Sequence, residues 1–192
     1  MSRESLARVS TSSDLGWSDT HQKDVDIITA LGIIQLRDSR MLRLGRLLIL
    51  LRGYEEARSK TDLQDRMVTD REDAKWLIGE LVSGERKHRE MSRSAIEKLS
   101  SAAYTEFVYD RCRQCHGAGK IMHEDRLVMT CEACAGAGKH RFSDHERADN
   151  IGCAIDKLLH YHQALYFAIA VCGTAERLAV SEAENVLGRW TK

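Results

Sequence analysis

Cys112-Arg-Gln-Cys115-His-Gly-Ala-Gly-Lys120 is answered further along the chain by Cys131-Glu-Ala-Cys134-Ala-Gly-Ala-Gly-Lys139. Together they spell C-x2-C-x15-C-x2-C, a spacing that reads as a zinc site. Two residues between cysteines let a tight turn aim both thiolates at one ion, and zinc takes four soft ligands in a tetrahedron at about 2.3 Å. Each pair is followed by x-Gly-x-Gly, so Gly117, Gly119, Gly136 and Gly138 let the backbone turn back at positive φ close under the metal. The candidate ligands are Cys112, Cys115, Cys131 and Cys134, holding one structural Zn2+, because a closed four-thiolate shell leaves no open position for chemistry. The two halves are an internal repeat. They predict a pseudo-symmetric unit with a short hairpin between Ile121 and Thr130.

Two other readings of the cysteines are weaker. Redox C-x-x-C motifs need a βαβ context that is not visible here, and neither they nor disulfides explain the Gly-x-Gly followers. His116, His123, His140 and His145 read as bystanders or contact residues beside a filled site, and Cys153 and Cys172, in apolar helical context, as packed thiols.

Outside this unit the chain reads as helix. Its 192 residues contain no proline, where average usage is roughly 5%, so nothing interrupts long helices and Pro-rich docking segments are excluded. Residues 1–18 are Ser- and Thr-rich and read as a tail. Asp19 with Gln22 suggests a capping box opening a helix to about Leu36. In the basic stretch from Arg37 to Lys60, Met41, Leu44, Leu48 and Leu51 form an apolar face from which Arg43 and Arg46 point away. A helix containing Leu63, Met67, Ala74, Leu77, Ile78, Leu81 and Val82 is expected to start near Thr69 or Asp70 and to stop at Gly84, with Glu85–Glu90 as a polar connector. Another runs from about Ser92 through Tyr109, turning Ile96, Leu99, Ala103, Phe107 and Val108 inward. After the finger, Ala148, Gly152 and Leu158 have the skeleton of a helix-turn-helix, with a second helix over about 154–171 and a last one over 174–190 packing Leu178, Val186 and Leu187. The expected fold class is therefore mainly α: a helical bundle interrupted by one small four-cysteine zinc finger, with a candidate helix-turn-helix after it. The expected organisation is a tail (1–18), a helical region (19–111), the finger (112–142) and a C-terminal helical region (143–192).

Charge narrows the function classes. Lys+Arg and Asp+Glu are 29 each, so no global field marks a polybasic nucleic-acid coat or an acidic tail protein. Local patches must carry any charge-driven contact. The stretch Arg37–Lys60 holds seven basic residues against three acids, a local +4, and reads either as the solvated face of a helix or as a phosphate-contacting or protein-docking face. Lys120 and Lys139 fall at equivalent places in the two repeats, which suits phosphate contact as well as simple solubility. Lys157, His160, Tyr161 and Gln163 are the early polar residues of the second helix of the candidate helix-turn-helix. No signal peptide opens the chain and the longest apolar run, Leu47–Leu51, is far below the roughly 20 residues that span a bilayer. With metal-like cysteines, the expectation is a protein of a reducing cytoplasm without a membrane partner. No phosphate loop, nucleophile elbow or open metal site supports an enzyme.

The finger, from Arg111 to Lys139, resembles the single zinc finger of the lambdoid phage late-gene antitermination proteins, the Q proteins. Ala30-Leu31-Gly32-Ile33-Ile34-Gln35 is similar to a segment near the start of that family, and the helix through Tyr104 and Tyr109 into Cys112 sits in the matching place. The resemblance implies a factor that binds DNA at a late promoter, engages paused host RNA polymerase and its sigma factor, with host elongation factors as further partners, and carries the polymerase through pauses and terminators. It implies DNA contact from the finger and the helices after it, with Arg113, Lys120, Lys139, His140, Arg141, Arg147, Lys157 and His160 as the candidate residues. The finger also resembles the cysteine-rich repeats of J-domain co-chaperones. These carry four copies against two here, and their His-Pro-Asp is impossible in a chain without proline. A polypeptide-binding module of that kind is the alternative function.

Overall fold

A computed structural model of the chain describes residues 39–56, 64–88, 90–122 and 128–190. The expected tail, the helix over 19–36, the Ala30–Gln35 segment and His123 lie outside the described residues, as do Arg37, Arg58, Lys60 and Leu63 of the basic stretch and its neighbour. What is described is mainly helical, as expected, with one small antiparallel sheet. The elements are α1 (Arg40–Glu56), α2 (Gln64–Ser83), α3 (Arg93–Val108), β1 (Lys120–Met122), β2 (Val128–Thr130), α4 (Asp144–Ile151) and α5 (Leu159–Trp190).

α1 is the centre of the bundle. Leu44, Leu48 and Leu51 are fully buried, as the periodicity predicts, but Leu47, Ile49 and Leu50 are buried too. A helix apolar on every side must be enclosed, and α2, α3 and α5 surround this one. Each fully buried leucine contributes on the order of 1.5–3 kcal/mol. Arg43 is exposed as expected, whereas Arg46 is half-buried because so little of α1 is left facing outward.

α2 begins at Gln64, ahead of the Thr69–Asp70 start that the sequence suggested. Thr69 and Asp70 lie inside the helix, since residues that favour caps do not by themselves break one. Gly84 does follow its last turn, its N–H donating to the Glu80 carbonyl. The connector after it is not wholly polar surface: Arg86–His88 form a 3-10 turn, and His88 is buried with its ring 5.4 Å from that of Phe167. α3 opens on Ser92, whose hydroxyl accepts from the Ala95 N–H, and buries Leu99, Ala103 and Val108 together with Tyr104.

The largest departure is α5. The two helices expected over 154–171 and 174–190 are a single helix from Leu159 to Trp190, about 48 Å long at 1.5 Å per residue. Gly173 lies inside it. An interior glycine costs about 1 kcal/mol relative to alanine but does not remove a hydrogen bond as proline does. The buried column of this helix is Leu165, Ala168, Cys172, Ala175, Ala179, Ala183 and Val186, and most of its side chains are small. Leu178, expected inside, is 45% exposed because it stands off that column. Residues 159–188 are long and apolar enough to cross a membrane by composition. Their apolar column is the one packed into the bundle.

The small column permits a close helix crossing. A Cβ on Gly45 of α1 would lie 2.0 Å from the Ala175 carbonyl oxygen of α5, a distance no side chain can hold. Helix propensity alone favours Gly45→Ala by about 1 kcal/mol, yet overpacking against rigid backbone should reverse the sign. Gly45→Ala is expected to destabilise the chain by about 1–3 kcal/mol, read as a lowered Tm. Gly188→Ala, where a Cβ meets nothing within 4 Å, should cause no such loss.

Candidate metal centre

Both knuckles are built by the same hydrogen bonds. The Gly119 N–H donates to the Cys115 sulfur and the Gly138 N–H to the Cys134 sulfur, each at 3.2 Å. The Cys112 N–H donates to the Gly138 carbonyl and the Cys131 N–H to the Gly119 carbonyl, each at 2.9 Å. Lys120 pairs with Thr130 in the β1–β2 hairpin, and Arg111 pairs with Lys139 in an isolated bridge. The residue entering each knuckle therefore pairs with the lysine leaving the other. This is the pseudo-symmetry that the repeat predicts.

The glycines are required for two distinct reasons. All four have positive φ, between 69° and 91°, the left-handed region that glycine enters at no steric cost. At Gly119 and Gly138 the opposite knuckle also presses in: a Cβ would come within 2.3 Å of the Gly136 and Gly117 carbonyl oxygens respectively. His116 and Ala135 share the left-handed conformation, at φ 49° and 50°. The sequence pattern predicts that conformation for the glycines alone. The signal for these two was their equivalent place after the second cysteine of each repeat.

The result is a cluster of four buried sulfurs that all lie within 4.8 Å of one another. The Cys112 and Cys131 sulfurs are 3.8 Å apart and those of Cys115 and Cys134 3.7 Å. A tetrahedron with sulfur about 2.3 Å from its centre has edges of about 3.8 Å, whereas a disulfide brings two sulfurs to about 2.05 Å. The donor set thus fits a single metal ion, and Cys112, Cys115, Cys131 and Cys134 are the residues to hold it. Among the described residues only half-buried Ile121 packs on the cluster, so the described part of the unit has almost no apolar core of its own. The thiols are not equivalent. The Cys115 backbone N–H holds Cys112 down to about 7, while burial pushes Cys131 up to about 11. A bound cation favours the thiolate at all four. Cys153 is half-buried and Cys172 fully buried, with its thiol pushed up to about 12 by burial; both pack on the helical core.

Compared with known proteins, the chain matches no family model, no curated protein and no solved structure.

The structure separates the candidate contact residues by what already holds them. Arg113, Lys120, Arg141, Lys157 and His160 are exposed. Lys139 is exposed, but its ammonium lies 3.0 Å from Asp110. His140 is half-buried, with Nε2 2.9 Å from Glu146. Arg147 is committed to the fold: its Nε donates to both carboxylate oxygens of buried Glu106 at 3.1 and 3.2 Å, and a terminal nitrogen donates to the Tyr166 hydroxyl. Sequence reading had no means of finding Glu106 as its partner, because the two are far apart along the chain. The candidate helix-turn-helix is realised as α4, a left-handed Gly152 and a 3-10 turn at Ile155–Lys157 before α5. Ala148, Ile151 and Leu158 are buried at its inner face, but the connection is longer than the three or four residues usual between such helices.

α4 joins the knuckles through its own cap. Ser143 and Glu146 form a capping box, and Glu146 also holds His140. The Ser143 backbone N–H and hydroxyl, with the His140 ring, hold the Glu146 carboxyl down at about 2. A carboxyl depressed on folding stabilises above its unfolded value of about 4.3 and loses that contribution as pH falls. The stability difference between the parent chain and Glu146→Ala is therefore expected to be constant from neutrality to about pH 4.3 and to vanish towards pH 2, by denaturant unfolding. For the knuckles, Gly119→Ala and Gly138→Ala should weaken Co2+ binding, followed by its thiolate charge-transfer absorption, far more than Gly117→Ala. Gly117 has the same strained φ, but a Cβ there meets only the Arg111 side chain at 3.7 Å.

Proposed function

We propose that the chain is a transcription antitermination factor of the phage Q type, which binds DNA at a late promoter, loads onto paused RNA polymerase and carries it through terminators. The observation that carries this reading is the paired knuckle itself. Its residues from Arg111 to Lys139 resemble that family's finger, and its four sulfurs are spaced for one ion, taken here as structural Zn2+. A closed thiolate shell supplies no catalysis. What it supplies is a rigid mount, from which exposed Arg113, Lys120 and Arg141 can reach phosphates, with Lys157 and His160 beyond α4 as further contacts. In this reading the polymerase and its sigma factor are met by helical surfaces of the bundle, and the protein acts in the host cytoplasm.

A second reading has an observation in its favour. Met122, Val128 and Met129 on the hairpin are 76%, 63% and 52% exposed, an apolar surface that suits a polypeptide-binding, co-chaperone-like module.

In vitro transcription from a late promoter with a downstream terminator separates the two. The metal-loaded chain is expected to raise read-through, and Cys115→Ser to abolish both read-through and binding to the promoter fragment, because a unit without its own core depends on its ion. Binding should also weaken steeply with salt. Unchanged read-through, together with capture of an unfolded polypeptide by the hairpin, would establish the second reading instead.

A further inference from the structure

A cleft of about 640 Å3 opens where the first knuckle, the end of α3 and α4 meet. That volume lies in the range of small-ligand sites. Its lining brings together Tyr109, Arg111, Arg113, His116, His140 and Phe142: two guanidinium groups, two imidazoles and two further aromatic rings. Negative charge in the wall is already engaged. Among the described residues Glu146 is the one lining carboxylate, and it is bonded to Ser143 and His140. Arg52, also in the wall, is held by Glu176 at 3.1 Å and Asp110 at 3.2 Å. Arg113 and His116, by contrast, are exposed and engage in no hydrogen bond or ion pair among the described residues. Phe142 is fixed edge-on to the His140 ring at 4.6 Å.

This combination has a specific chemistry. An anion alone asks for cations and not for aromatic walls. A duplex presents its phosphates on a convex surface and keeps its bases stacked inside, so it cannot fill a concave site lined by rings. A nucleotide out of the stack offers both parts at once: a π-face for an aromatic side chain and a phosphate for arginine. We infer that this cleft binds one unstacked nucleotide of a single-stranded nucleic acid, with the base against Phe142 and the phosphate on Arg113 and His116. The inference does not rest on the antitermination reading, because neither duplex binding nor polymerase contact enters it.

The test is fluorescence anisotropy of short labelled oligo(dT) and oligo(rU) with the metal-loaded chain, using an unlabelled duplex that lacks the promoter element and inorganic phosphate as competitors. Both mutated side chains allow clean variants. Arg113→Ala removes an exposed cation, and Phe142→Leu keeps apolar bulk while removing the π-face; unchanged Co2+ spectra and thermal unfolding confirm that each is folded. Each variant is expected to bind oligonucleotide about tenfold or more weakly, while the parent chain prefers either oligonucleotide to the duplex. Whichever of oligo(dT) and oligo(rU) binds more tightly identifies the source of the strand. Duplex or phosphate competing as well as the oligonucleotide, or Phe142→Leu binding like the parent, overturns the assignment.

Discussion

Arg52 ties the helical bundle to the knuckles. It follows the buried run Leu47–Leu51 near the C-terminal end of α1 and meets Glu176 of α5, 1% exposed, at 3.1 Å. It also donates to the Phe107 carbonyl, stacks 4.3 Å from the Phe107 ring and pairs with Asp110 at 3.2 Å. The Phe107 carbonyl belongs to the last turn of α3, where carbonyls have no helical partner, so one guanidinium caps α3 and neutralises a carboxylate in the core. A buried charge is tolerable only when it is paired and hydrogen-bonded. Arg52 and Glu176 therefore fix each other's place, and with it the mutual setting of α1, α3 and α5.

Asp110 passes that setting on to the metal unit. Its carboxylate takes Lys139 as well as Arg52, and its backbone carbonyl accepts from the His140 N–H at 2.7 Å. Lys139 and His140 leave the second knuckle just where Arg111 enters the first, and the Arg111–Lys139 bridge closes the unit at this neck. The sulfur cluster and the helical core are separate buried clusters. Each knuckle is hydrogen-bonded to the other around a sulfur cluster spaced for one ion, and the pair is aimed by its neck. Beyond this neck α4 docks by a second ion pair of the same kind, Arg147 on buried Glu106, so the chain leaving the knuckles is also held to α3.

What was legible in the sequence follows from how local the cause is. The four clustered cysteines and the turns under them are set by residues two to four apart, so C-x-x-C-x-G-x-G could be read directly. The buried face of α1 and the extent of α3 follow from helical periodicity and a Ser92 cap. The same logic failed at Gly173, because whether a helix continues through glycine is decided by the packing on either side. It also failed at Leu178: bulk suggests core, but the crossing at Gly45 and Ala175 is so tight that alanines carry the contact. The roles of Arg52 and Arg147 were illegible for a stronger reason. Their partners Glu176 and Glu106 are distant in sequence, and an arginine committed to the core has the same letter as one on the surface.

That last point changes the meaning of a zero net charge. Cations are sorted by the fold into those spent inside it and those left outside. Arg52 and Arg147 are consumed by buried carboxylates, Arg40 and Lys75 by Glu80 and Glu72, and Arg93 by Glu97. Exposed pairs of this kind add little stability, at most about 1 kcal/mol each, but they do cancel outward field. Arg113 is in none of these pairs, and it stands on the knuckle, beside an aromatic cleft whose one carboxylate among the described residues is already bonded. A sum of zero over the chain thus leaves at the neck of the knuckles a cation, Arg113, with no hydrogen bond or ion pair among the described residues. Attraction at a surface depends on the charges within about a Debye length of the site, so it is the arrangement of charges at the neck, and not the balance of 29 against 29, that decides an anion's affinity there.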